Sequence, residues 1–290
     1  MSGSVSSAPR EERRRKGELQ RELTDEIAQI VGSAREARWI VEQVWPDPDA
    51  PVRARALAQR RAEGEPLQHV LGHWGFRYLD VLVDGRALVP RPETEVVVGF
   101  ALDELSALGP SPGRELNIAD LGTGSGVIAC ALACELASRS VAAVIYATDA
   151  SSEALELATE NVHRTIGDTG HIRLLTGSWF AALPRDLAGH LDLVVSNPPY
   201  LRADEWSTLD TVVRDHDPYA ALVAGPTGLE SINHLVDESP RWLSAKGALV
   251  IEIAPGQQAA VVERARRAGF SHAEVRADLA ERPRVLVARR

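Results

Sequence analysis

The feature that most constrains this chain is an alternation that begins at Leu116. Short apolar runs at 116–120, 144–149, 172–175, 191–196, 248–253 and 285–288 are separated by stretches with helical periodicity. Strands that are apolar nearly throughout must be covered on both faces, and helical crossovers between parallel strands provide that cover. The expected fold is therefore α/β: a doubly wound, mainly parallel sheet with helices on both sides. At 290 residues, 44% apolar and 25% charged, the chain can bury a core of that size, which excludes wholesale disorder. The longest unbroken apolar run, 127–134, falls far short of the ~18 residues that suggest a membrane span.

The part before this alternation reads differently. Residues 1–9 are small and polar and predict a loose tail. Leu19, Leu23, Ile27, Ile30 and Val31 recur at helical spacing within 11–44, and the prolines between 46 and 51 end that pattern before a second helix at 52–63. At 67–90 the composition shifts to aromatic and β-branched residues. Asp84-Gly85 predicts a hairpin turn between 78–83 and 87–89. The expected organisation is a tail and helical docking domain at 1–66, a linking β-hairpin at 67–90 and a catalytic domain at 91–290.

Net charge is −9, and the first 75 residues are balanced in sign, so the acidic excess lies in the larger part. Binding through phosphate contacts calls for a basic face, and this composition offers none, so no direct nucleic-acid binding is expected. The cluster Arg13, Arg14, Arg15 and Lys16 alternates with glutamates and reads as a solvated helix face. An arginine-rich N-terminus without an apolar core gives no secretory signal, so a cytoplasmic location is expected. Cys130 and Cys134 lie four apart in one apolar stretch and read as buried thiols. The eight histidines have no metal-ligand spacing, and no metal is expected.

Ligands of open α/β sheets bind beyond the carboxyl ends of the strands, so the residues that close each strand carry the functional signal. The first run ends in Asp120-Leu121-Gly122-Thr123-Gly124-Ser125-Gly126. Glycines at alternate positions allow a tight turn and bring a ligand close to peptide N–H groups. A dinucleotide fingerprint would need a small residue at Val127, so a nucleoside without a pyrophosphate fits better. Taken alone, such a loop is equally a tight turn with no ligand. Asp149 closes the next run, where a carboxylate either caps the following helix or accepts hydrogen bonds from the two hydroxyls of a ribose. The fourth run is followed by Asn197-Pro198-Pro199-Tyr200. Each proline restricts itself and its predecessor to extended backbone, which holds Asn197 rigidly at the strand end. Asn197 Oδ1 and the Pro198 carbonyl can accept the two protons of a planar NH2 group, while Tyr200 stacks on the attached plane.

A glycine loop, an acid after the second strand and Asn-Pro-Pro-Tyr after the fourth resemble class I S-adenosylmethionine-dependent methyltransferases that act on planar NH2 groups. Val89-Pro90-Arg91-Pro92-Glu93-Thr94-Glu95 is similar to the segment that precedes the catalytic domain in the HemK/PrmC family of protein-glutamine N5-methyltransferases. Leu71-Gly72 with 74–76, Ser178-Trp179-Phe180, Ala221-Leu222, Gly225, Gly228-Leu229, Glu252 and Gln257 extend the likeness over roughly 66–290.

The resemblance implies a seven-stranded sheet with its last strand antiparallel and a helical N-terminal domain that helps hold the substrate. It implies S-adenosyl-L-methionine as cofactor, bound by Gly122, Thr123, Gly124, Ser125, Gly126, Asp149, Trp179 and Asn197. The substrate glutamine falls on Asn197, Pro198, Pro199 and Tyr200, with Asn197, Pro198 and Tyr200 in catalytic roles. The implied partner is a class I peptide chain release factor, methylated on its Gly-Gly-Gln loop. Arg91 and Glu95 stand between surface ion pairing and a role near the methionine end of the cofactor. Three rival readings remain. An N6-adenine nucleic-acid methyltransferase also takes a planar NH2 but would need a basic groove, and a non-catalytic paralogue would keep the cofactor site with its chemistry decayed. A nicotinamide dehydrogenase is weakened by Val127.

Overall fold

The computed structural model describes residues 8–109, 114–167 and 170–290, with side chains from 11 onward. The chain divides into two compact units, at Gly72. Residues 1–7, most of the expected N-terminal tail, lie outside the described residues; residues 8 and 9 are helical.

The first unit contains α1 (Ala8–Val31), α2 (Ala34–Val44), α3 (Ala50–Ala62) and α4 (Leu67–Leu71). The single helix expected over 11–44 is thus two. Gly32 adopts φ 72°, and the Ser33 side chain then caps α2 by accepting a hydrogen bond from the Glu36 N–H. A left-handed glycine followed by an N-capping serine ends one helix and starts the next. Leu23 and Ile27 are buried together with Ile40, Val41, Val44, Ala54 and Ala58, whereas Leu19 and Ile30 are exposed, so the buried stripe of α1 is narrower than its spacing suggested. Arg14 pairs with Glu18, and Lys16 with Glu12, along the exposed face of α1.

The second unit opens with an antiparallel hairpin of β1 (His73–Phe76) and β2 (Leu79–Leu82). Its turn lies at Arg77-Tyr78, with Arg77 at φ 51°, and not at Asp84-Gly85. Asp84 instead accepts from the Arg86 backbone and guanidinium, and Arg86 also reaches Glu160, so 84–86 is a clamped corner. After it come α5 (Pro92–Ala107), β3 (Leu116–Leu121), α6 (Val127–Ser138), β4 (Ala143–Asp149), α7 (Ser152–Thr165), β5 (Ile172–Thr176) and β6 (Leu191–Ser196). A short excursion follows: β7 (Leu201–Arg202), α8 (Thr211–His216), α9 (Tyr219–Leu222) and β8 (Val223–Gly225), with β7 pairing β8. Closing the unit are α10 (Glu230–Trp242), β9 (Leu243–Glu252), α11 (Gln258–Arg267), β10 (His272–Ala277) and β11 (Pro283–Arg289).

Seven strands form one sheet in the order β10-β11-β9-β6-β3-β4-β5. The pairs β9–β6, β6–β3, β3–β4 and β4–β5 are parallel, while β11 runs antiparallel to both β9 and β10. Successive residues face opposite sides, as strand geometry demands. Ile118, Leu193, Val195, Val250 and Val287 belong to one buried cluster, with α5 and α6. Ala119, Leu121, Val194, Leu249, Ile251 and Leu286 belong to the other, with α10 and α11. The seventh strand, β10, is one the apolar pattern does not reveal. It is a half-exposed edge strand whose sequence, His-Ala-Glu-Val-Arg-Ala, carries the charges that protect a sheet edge.

From β3 the chain winds outward through β4 and β5, then crosses to the opposite side of β3 to lay down β6. The carboxyl ends of β3 and β6 therefore flank the topological switch point, where such sheets open a crevice. Among the described residues no helix is long and apolar enough to cross a membrane, and no three His, Cys, Asp or Glu side chains gather as a metal group.

Candidate active site

A cavity of about 250 Å³ lies at this switch point. Its wall includes Gly122, Thr123, Gly124 and Ser125 from the loop after β3, Asp149 after β4, Trp179 after β5, and Asn197 and Pro199 after β6. Residues 86–91, Thr94, Pro218, Ala220 and Ala221 also line it.

The glycine loop is set by its backbone. The Gly122 and Thr123 N–H groups both donate to the Thr148 carbonyl, at 2.8 and 2.9 Å, which folds the loop over the end of β4. Gly122 has φ 71°, and a Cβ there would lie 3.0 Å from Cζ3 of Trp179, so the indole ring lies directly against this glycine. Gly126 has φ 80°, and a Cβ there would lie 3.1 Å from Cβ of Ala158. It lets α6 start close against α7 and does not line the cavity, so its part is structural.

Asp149 bridges the loop and the next helix: Oδ2 accepts from the Gly124 N–H at 2.8 Å and Oδ1 from the Ser151 N–H at 2.9 Å. Ser151 in turn caps α7 through the Ala154 N–H. The carboxylate thus remains half-buried at the cavity wall, with a lone pair left for hydroxyl donors. Below the loop, Asp120 is fully buried, accepting at Oδ2 from the Thr123 hydroxyl at 2.6 Å and the Ala129 N–H at 3.2 Å. Burial pushes its carboxyl up to about 7.

The opposite wall is assembled from side chains. The Ser196 hydroxyl donates to the Leu121 carbonyl at 2.6 Å and ties the end of β6 to that of β3. Asn197 follows, with Nδ2 donating to Thr94 Oγ1 at 3.0 Å. The Thr94 hydroxyl donates to Glu252 Oε2 at 2.8 Å, and the Tyr200 hydroxyl lies 3.4 Å from Glu252 Oε1. Burial raises the Glu252 carboxyl to about 7, and burial beside that acid raises the Tyr200 phenol as well. Gln257 Nε2 donates to the carbonyls of Tyr200 and Gly228, while its Oε1 accepts from the Ala254 N–H.

The structure brings Gly122, Thr123, Gly124, Ser125, Asp149, Trp179, Asn197 and Pro199 together around one space. Pro198 and Tyr200 are not part of that wall: Pro198 is buried behind it, and Tyr200 turns to Glu252. Arg91 lines the cavity and also pairs with the buried Asp217, Nη2 to Oδ2 at 2.6 Å, fastening the 217–221 rim. Glu95 does not line it. Sequence reasoning did not single out Asp217 or the chain through Thr94 to Glu252. Their only sequence signal was the presence of Thr94 and Glu252 in matching motifs, without a role attached.

A doubly wound seven-stranded sheet with a reversed final strand, a glycine loop and acid on successive strand ends and an amide corner across the switch point define a class I methyltransferase. The family model of the methyltransferase small domain matches residues 103–215. The N-terminal domain of human METTL16, solved in complex with SAH, has a similar fold, with a TM-score of 0.52 over 83% of this chain and 82% of that chain at 15% identity. Sequence likeness is nearer. A release factor glutamine methyltransferase of Agrobacterium fabrum is 38% identical over 83% of this chain and 80% of its own length. Another, from Streptomyces coelicolor, is 40% identical over 84% and 83%. The chain belongs to the release factor glutamine methyltransferase family.

Proposed function

We propose that this protein transfers a methyl group from S-adenosyl-L-methionine to the side-chain amide nitrogen of a glutamine in a class I peptide chain release factor. The observation that carries the reading is the position of Asn197, which faces the same cavity as the glycine loop and Asp149. The residues present fit the cofactor: Asp149 has acceptor capacity for ribose hydroxyls, Trp179 offers a ring face beside Gly122, and the wall is otherwise largely apolar. When bound, S-adenosylmethionine supplies an electrophilic methyl group.

The chain's own residues supply orientation. A carboxamide nitrogen is a weak nucleophile because its lone pair is delocalised into the carbonyl. Asn197 Oδ1 and the Pro198 carbonyl accept the two N–H protons and hold the acceptor nitrogen in line. Alignment of this sort is worth as much as ~7–11 kcal/mol of barrier in favourable cases. Only the main-chain carbonyl of Pro198 enters this reading, since the residue as a whole is buried and lies outside the cavity wall. The helical unit that ends at Gly72 is assigned to holding the release factor.

The test is incubation of the purified chain with labelled S-adenosylmethionine and a class I release factor, followed by mass mapping. One added methyl on the glutamine of the Gly-Gly-Gln loop is expected; label on adenine in nucleic acid, or none on any release factor, would remove the reading.

A further inference from the structure

Asn197 presents a chemical ambiguity that the reaction cannot tolerate. A carboxamide has an accepting end and a donating end of nearly equal shape, and only the accepting end can hold an NH2 group. Something has to decide which end faces the cavity. We propose that Thr94 and Glu252 are positioning residues that set the direction of the Asn197 amide, through a one-way chain from Asn197 Nδ2 to Thr94 Oγ1 and from the Thr94 hydroxyl to Glu252 Oε2. The proposal rests on the functional reading above and names two residues that act through Asn197; Thr94 reaches the cavity wall and Glu252 does not.

The direction follows from proton counting. A threonine hydroxyl has a single proton, and an ionised carboxylate only accepts. With Glu252 ionised, the Thr94 proton is committed to Oε2 at 2.8 Å, so Thr94 Oγ1 can only accept from its other neighbour, at 3.0 Å. That neighbour must be the Asn197 NH2, which leaves Oδ1 for the cavity. A flipped amide would set two acceptors against each other, or take the Thr94 proton and leave a buried carboxylate oxygen unpaired. Thr94 is 3% and Glu252 1% exposed, so water does not substitute for either partner. The second Glu252 oxygen faces the Tyr200 hydroxyl at 3.4 Å, which places both oxygens in the accepting role.

The groups around Glu252 define when the chain is directed. Glu93 raises its carboxyl electrostatically, whereas Arg284 and the hydrogen bonds from Thr94 and Tyr200 lower it. Burial outweighs these and leaves it at about 7. Above that pH the carboxylate accepts and the amide is fixed. Below it, protonated Glu252 can donate to Thr94, whose own proton is then free to turn to Asn197, and the selection is lost.

The test compares full-length wild type, T94V, T94S and E252Q. T94V keeps the shape and removes the hydroxyl. It should lower kcat for methyl transfer by ~10-fold or more, a larger change than any in S-adenosylmethionine affinity by calorimetry, with the melting temperature near wild type. T94S restores the hydroxyl and should recover kcat to within ~3-fold of wild type. In wild type kcat should fall on the acid side of about pH 7, and E252Q should lose that limb. The Asn197 side-chain amide signals, read by 15N NMR, should include one slowly exchanging proton that is absent in T94V. Wild-type kcat in T94V, a loss shared with cofactor affinity and melting temperature, or an unchanged Asn197 signal would each overturn the proposal. Failure of wild type itself to methylate any release factor would remove the functional reading, while the Asn197 signal would still decide whether the chain is directed.

Discussion

The two walls of the cavity are built by different means. On the β3–β4 side the main chain does most of the work: two N–H groups close on the Thr148 carbonyl, and Asp149 is gripped by the Gly124 and Ser151 N–H groups. On the β6–β9 side the determining contacts run between side chains, from Asn197 through Thr94 to Glu252. A main-chain cradle fails when its backbone freedom or the one carboxylate it grips is lost, whereas a side-chain chain fails when one atom of any link is removed. The first wall should therefore govern affinity for the methyl donor, and the second the rate of the chemical step.

The largest effect that could break this division belongs to Asn197→Ala. Methyl transfer should fall by ~10³-fold or more, while calorimetry finds donor affinity within a few-fold of wild type. A comparable loss of affinity would mean that the walls are not separate in function. Asp149→Ala should do the reverse, with donor affinity weaker by ~30–100-fold and kcat at saturating donor almost unchanged. Gly122→Ala should weaken donor binding by roughly 10-fold, because the new Cβ both meets Trp179 at 3.0 Å and disfavours φ 71°. Titrations of the two variants would rank these effects.

The smallest effect sharpens the electrostatic side. Asp120 has a folded-state pKa of about 7, raised by burial above its unfolded value. Its contribution to stability is therefore complete below the unfolded pKa near 4 and is lost as pH rises through 7. Asp120→Asn removes that loss. Denaturant melts should show the variant gaining on wild type as pH rises from 4 to 8, with the gain developing across that interval. A gain that does not depend on pH would show that Asp120 is not neutral at acid pH in the native protein.

The same division explains what could be read from residue order. The glycine loop, Asp149 and Asn197-Pro198-Pro199-Tyr200 are local: each is a strand end whose conformation is dictated by its immediate neighbours, so fold class and cavity wall follow from them. The bond from Thr94 to Glu252 spans 158 residues and becomes visible only when α5 is packed against β9. The approach of the Tyr200 hydroxyl to Glu252 Oε1, at 3.4 Å, joins positions 52 apart and has no local signal either. Errors in the elements have local causes too. Gly32-Ser33 interrupts an apolar periodicity that carries on across it, and Asp84-Gly85 has the composition of a hairpin turn yet is recruited by Arg86. Alternation alone misses β10 because an edge strand does not need to be apolar on both faces.

Gln257 has a consequence for anyone who would graft this chemistry elsewhere. Its single carboxamide touches three separate stretches of chain, at Tyr200, Gly228 and Ala254. The tetrapeptide that grips the acceptor is therefore not a portable cassette. A host scaffold given Asn-Pro-Pro-Tyr alone would inherit the letters without the bracket that sets their spacing, and would need all three anchor points transplanted together.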